Sequence, residues 1–244
     1  MRKYISMCML LILLTSTTVV LAIPVNDISQ AKEHNPKITI VDPVKGIAKA
    51  EFIHYNKKNA DTNSIVPGSG TCWSTFATWN NDIPVSYVIN PTNNRGLSSS
   101  FVTSTISTSA ETWDAATNKE LFGTYSTNTR VKYGRLDGNN VIAFGKASPG
   151  TIAVTTTWFI TASRQIIEFD MKFNTYYKWG DAVSNMMDLR NIATHELGHG
   201  VGLDDIYSGL CSDVTMYGYG SLGETDKRTL EQADINGLLS LYPN

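Results

Sequence analysis

Apolar and polar positions alternate with period two in some stretches of this chain and recur at helical spacing in others. Residues 83–90, Ile-Pro-Val-Ser-Tyr-Val-Ile-Asn, predict a first strand that stops at Asn90-Pro91. Ser98 to Asn118 predicts a helix, because Phe101, Val102, Thr105, Ile106, Ser109, Trp113 and Ala116 share one face. Thr129–Tyr133 is a short strand candidate, and Asp137-Gly138-Asn139-Asn140 is a turn leading into a strand at Val141–Gly145. Gly150–Ile160 is a β-rich run, and Ile166–Asn174 alternates like a half-buried strand. Asp188 is placed to cap a helix with a stripe of Leu189, Ile192, Ala193 and Leu197. The chain then reads as loop to Thr229, and Leu230–Leu241 predicts a last helix before Pro243. Strands come first and helices flank them, so the expected class is α+β.

The N-terminal residues fit none of this. Residues 1–22 read as a secretory signal: Arg2 and Lys3, an apolar run from Met7 to Leu14, then Val20-Leu21-Ala22. Thr15–Thr18 breaks the run, which is too short to span a bilayer. Residues 23–70 are Lys- and Asn-rich with weak apolar periodicity, and read as a pro-segment or N-terminal extension. Residues 71–244 are then expected to form one domain. At 42% hydrophobic and 17% charged, composition is that of an ordinary globular protein. A formal charge of −2 with no long run of one sign argues against nucleic acid as a partner. Cys8 leaves with the signal, so Cys72 and Cys211 remain as an even pair suited to a disulfide in an oxidising compartment. Two free thiols, or Cys72 as a latent thiolate ligand, are the other readings.

The chemistry concentrates in His195-Glu196-Leu197-Gly198-His199-Gly200-Val201-Gly202-Leu203-Asp204-Asp205. Residues four apart on a helix lie one turn apart on one face, so His195 and His199 can offer two imidazoles to one metal ion. Imidazole suits zinc, and Glu196 between them is placed to serve as general base. Gly202 lets the chain leave the helix through a positive-φ turn and bring in a third ligand. The other histidines, His34 and His54, lie far upstream in the segment expected to be removed, so the third ligand is a carboxylate. Asp205 has the spacing, and Asp204 is its neighbour and alternative. Glu224 or Glu231, arriving from a later helix, would define a gluzincin-type hydrolase instead. The Asp137–Asn140 turn could bind calcium, although an Asx turn explains it.

The H-E-x-x-H-x-x-G-x-x-(H or D) pattern followed by Val214-Thr215-Met216-Tyr217-Gly218 resembles the metzincin zinc endopeptidases and their Met-turn at Met216. Trp79 with Pro84–Tyr87, Trp113, Asp137-Gly138 through Gly145, Glu168-Phe169-Asp170, Phe173-Asn174, Trp179, and Asp234-Ile235 to Pro243 follow the matrixin order over about residues 72–243. Asp205 replaces the matrixin histidine and resembles the snapalysins. The structural-zinc histidines and the inhibitory cysteine motif are missing, and Gly218 stands where astacins carry a zinc-binding tyrosine. The resemblance implies a zincin-like fold: a twisted five-stranded mixed sheet, three helices and a cleft above the helix carrying the two histidines. A protein or peptide substrate would lie extended along an edge strand within Gly150–Ile160. One catalytic zinc would activate water, with Glu196 as general base and acid. Tyr217 and Tyr219 would line the pocket or pack in the core. The expectation is a secreted monomeric endopeptidase, off the membrane once the signal is removed. An inert zinc-binding or adhesion protein is the rival, and the intact Glu196 argues against it.

Overall fold

A computed structural model describes residues 36–57 and 71–244. Residues 1–22 lie outside the described residues. Within the 23–70 segment, Lys37–Asp42 (β1) and Ile47–Asn56 (β2) form an antiparallel hairpin. Its second strand buries every other residue: Ala48, Ala50, Phe52, His54 and Asn56.

The chain continues through β3 (Val85–Asn90), α1 (Ser99–Asp114), β4 (Phe122–Thr127), β5 (Val141–Gly145), β6 (Thr151–Ile160) and β7 (Gln165–Asn174). A short parallel pair, β8 (Trp179–Gly180) and β9 (Met187–Asp188), leads into α2 (Leu189–Gly200). The two-residue strand β10 (Tyr219–Gly220) and α3 (Gln232–Leu241) complete the fold, with 3-10 turns at Gly209–Cys211 and Asp226–Arg228.

The strand order is β1-β2-β6-β7-β5-β3-β4, with β10 beside β2. The five strands β4-β3-β5-β7-β6 make the expected mixed sheet, parallel except for β6. The hairpin widens it: β2 pairs antiparallel with β6, from Ile47 opposite Ile160 to Tyr55 opposite Thr151. The expected edge strand is therefore an interior strand here, and β6 is buried along nearly its whole length.

Two elements depart from the sequence pattern. The helix expected to run to Asn118 ends at Asp114, whose carboxylate accepts the amides of Leu121 and Phe122 at 2.7 and 3.1 Å and turns the chain into β4. Thr129–Tyr133 is not a strand. Asn90 Nδ2 donates to the Thr129 and Val131 carbonyls, and the following amides of Gly134 and Arg135 donate to Asp170 instead of a neighbouring strand.

The core lies between the sheet and α1–α2. Trp113 is fully buried, and its indole nitrogen donates to the Thr194 carbonyl at 2.8 Å, tying α1 to α2. Cys72 and Cys211 are joined by a disulfide with a Cα–Cα distance of 5.4 Å. No helix among the described residues is long and apolar enough to cross a membrane.

Candidate metal centre and active site

Helix α2 starts where Asp188 accepts the Asn191 amide at 2.8 Å, and Arg228 Nε holds the same carboxylate at 2.9 Å. Fourteen residues after Asp188, Gly202 takes φ +104°, and its carbonyl accepts the Phe76 amide. A Cβ at Gly202 would overlap the Ala77 carbonyl, so glycine is required twice, by conformation and by space. The chain turned back there carries Asp205 under the helix.

His195, His199 and Asp205 bring one ligand atom each within 4.8 Å of one another. Asp205 Oδ1 lies 3.2 Å from His195 Nε2 and 3.5 Å from His199 Nε2. The tautomers follow from the other ring nitrogens. His195 Nδ1 meets the Thr215 carbonyl at 2.8 Å and His199 Nδ1 meets the Leu203 carbonyl at 2.9 Å. A carbonyl only accepts, so each Nδ1 carries a hydrogen, and in its neutral form each ring presents a bare Nε2. Two nitrogen lone pairs and a carboxylate oxygen, all buried and none hydrogen-bonded, then face one point. Three ligand atoms converging in this way could hold a shared cation, and a set of two imidazoles and one carboxylate suits zinc. The residues fit the metal.

Asp205 is oriented from behind by Tyr207, whose hydroxyl donates to Oδ2 at 2.9 Å. Asp204 is not part of this group, and its Oδ1 accepts the Asp205 amide. Glu224 is paired with Lys227 and the Ser221 amide, and Glu231 caps α3. Neither belongs to the cluster. Met216 sits beneath the helix, where a Cβ on Gly198 would overlap its sulfur. Asp234 fixes that turn by accepting the amides of Thr215 at 2.9 Å and Met216 at 3.0 Å.

Glu196 is fully buried beside the cluster. Thr155 on β6 donates to its Oε2 at 2.5 Å, while Oε1 has no hydrogen-bond partner. Burial pushes the Glu196 carboxyl up to about 8, against the pull of His199 and the Thr155 hydroxyl. One oxygen is thus held and the other left without a hydrogen bond.

The elimination that set His54 aside does not describe this arrangement. His54, on β2, is fully buried, with its ring 4.0 Å from that of His195 and its Nδ1 3.9 Å from Glu196 Oε1. Burial and the neighbouring His195 hold it neutral, well below the ordinary histidine range. Two residues earlier, Phe52 stacks on His199 at 4.1 Å. The cleft implied above α2 is filled by β2. The sequence signal was the alternation Ala48, Ala50, Phe52, His54, which puts His54 on the face shared with the core. Thr155 and Tyr207 carried no sequence signal, and Asp234 stood out only as the start of the closing helix. Tyr217 and Tyr219 are buried in a small cluster with Cys211 and Val214. Asp137 forms the Asx turn, accepting the Asn139 amide at 3.1 Å.

Residues 78–243 match the family model of the matrixins, peptidase family M10. Over 168 residues the chain is 27% identical to a hatching enzyme of Paracentrotus lividus. That match covers 68% of this chain and 26% of the relative, so the chain spans about a quarter of that curated protein's length.

Proposed function

This chain belongs to the matrixins, a family of zinc metalloendopeptidases, and we propose that it is secreted and cleaves proteins or peptides at a site formed by His195, His199, Asp205 and Glu196. The observation that carries the proposal is the convergence of His195 Nε2, His199 Nε2 and Asp205 Oδ1, with both Nδ1 hydrogens committed to backbone carbonyls.

Zinc, when bound, supplies a Lewis acid for the scissile carbonyl and makes water a nucleophile near neutral pH. The chain supplies the proton path. Glu196 Oε1 takes a proton from the attacking water and delivers it to the departing amine nitrogen. Thr155 keeps Oε2 fixed so that Oε1 faces the reaction. Tyr207 holds Asp205, and Asp234 holds the Met216 turn that accepts the His195 hydrogen through Thr215. No serine or cysteine nucleophile is needed.

Substrate would lie extended between β6 and β10. The fit of β2 in that space supports this reading, since β2 pairs with both. The Cys72–Cys211 disulfide supports an oxidising compartment, in keeping with a signal at residues 1–22 and a mature domain from about residue 71. The test is digestion of casein with and without a zinc chelator. Cleavage that the chelator stops supports the proposal. Cleavage that it leaves untouched contradicts it.

A further inference from the structure

Strand β2 lies in the space proposed above for substrate, and two of its side chains cover two of the three proposed metal ligands. Phe52 covers the His199 ring at 4.1 Å, and His54 meets the His195 ring edge-on at 4.0 Å. With this strand in place His195, Glu196 and His199 have no access to solvent. Both nitrogens of the His54 ring lack a hydrogen-bond partner, although the ring is fully buried. A buried imidazole with no partner is unfavourable unless something else satisfies it. Glycine makes room for it: a Cβ at Gly220 would lie 2.7 Å from His54 Nε2. His54, His195 and Glu196 also form a second group whose ligand atoms lie within 4.8 Å of one another, and it shares His195 with the first.

We propose that the β1–β2 hairpin is an inhibitory segment of this chain, and that His54 binds the metal ion held by His195, His199 and Asp205, in the space where the attacking water would stand. This rests on the zinc-peptidase reading above. Coordination satisfies one of the two orphaned ring nitrogens, fills the open position that a catalytic zinc site needs, and keeps water away from Glu196 Oε1. Backbone pairing on both sides of β2 holds the imidazole there, antiparallel to β6 and parallel to β10. The sequence lacks the inhibitory cysteine motif of the family, and His54 takes over its task with a nitrogen ligand. Release follows from hydrolysis of one peptide bond between residues 57 and 71. The hairpin then becomes a separate molecule and loses the high effective concentration of an attached one.

The test is X-ray absorption at the zinc edge, which counts imidazole ligands and does not depend on turnover. The full-length, zinc-loaded chain is expected to show three imidazoles, and His54→Ala and His54→Gln two each. Full-length His54→Ala is also expected to cleave casein at least tenfold faster than the unsubstituted full-length chain. Two imidazoles in the unsubstituted chain, or no gain in rate on substitution, overturn the inference and leave the peptidase reading standing. A chain that binds no zinc at all overturns that reading, and this inference with it.

Discussion

Gly198 and Met216 are in contact across the floor of the metal site, with no space for a single carbon between them. A Cβ at residue 198 would overlap the Met216 sulfur and lie 2.8 Å from Trp113 Cζ2. The helix that carries His195 and His199 therefore rests directly on the turn that receives the His195 hydrogen. Gly198→Ala should overpack this floor at a cost of about 1–3 kcal/mol. For a domain of this size that is roughly 2–12 °C in Tm. Thermal unfolding of the metal-free variant checks it, and an unchanged Tm would mean that the floor yields.

Thr155 donates to Oε2 of Glu196, the proposed general base. Thr155→Val removes the hydroxyl that fixes Oε2. A hydrogen bond to a charged group contributes about 1.5–3 kcal/mol, so kcat should fall by roughly 10- to 100-fold. KM and zinc content should stay as they are, because Thr155 is not among the metal-binding group. A change confined to KM would place Thr155 in substrate binding.

Much of this site could be read from residues 195–205, where helical spacing and a positive-φ glycine bring two histidines and an aspartate together. The strands rich in β-branched residues, β3, β5, β6 and β7, were legible for the same reason: their patterns are local. What stayed hidden depends on distant pairing. Strand β4 buries Phe122 alone among its residues and so has no apolar period. Strand β2 does alternate, but its inward Ala48 and Ala50 are small and flanked by Lys49 and Glu51, so the strand reads as polar. Nothing local marks His54 as a neighbour of His195, since 141 positions separate them.

The Cys72–Cys211 disulfide spans 139 positions and ties the segment before β3 to the loop after Asp205. Closing a loop this long restricts the unfolded chain strongly. Replacing both cysteines by serine should cost about 2–5 kcal/mol. The loss should be visible as a lower midpoint in urea with little change in zinc content. An unchanged midpoint would show that the loop is held without the bond.

Glu168 and Asp170 on β7 are buried and receive amides from residues 134–141. Burial pushes Glu168 up to about 7 and Asp170 up to about 6. Unfolded carboxyls titrate near 4, so from there to about pH 7 the folded chain holds protons that the unfolded chain has released. Their contribution to stability is therefore fully present below the unfolded pKa and is lost as pH rises through the folded values. Tm of the metal-free chain should fall from pH 5 to pH 8, and Glu168→Gln should flatten that slope. A Tm that climbs over this range in the unsubstituted chain would contradict the assignment.

The proposed function has two parts, metal binding by His195, His199 and Asp205 and proton transfer by Glu196. Zinc content and casein cleavage, measured on the same preparations of the chain freed of residues 1–70, separate the two. The unsubstituted protein and Glu196→Ala should each hold one zinc, and only the unsubstituted protein should cleave, by a margin of about 100-fold or more. Equal cleavage by both, or a fully zinc-loaded unsubstituted protein that never cleaves, would contradict the account.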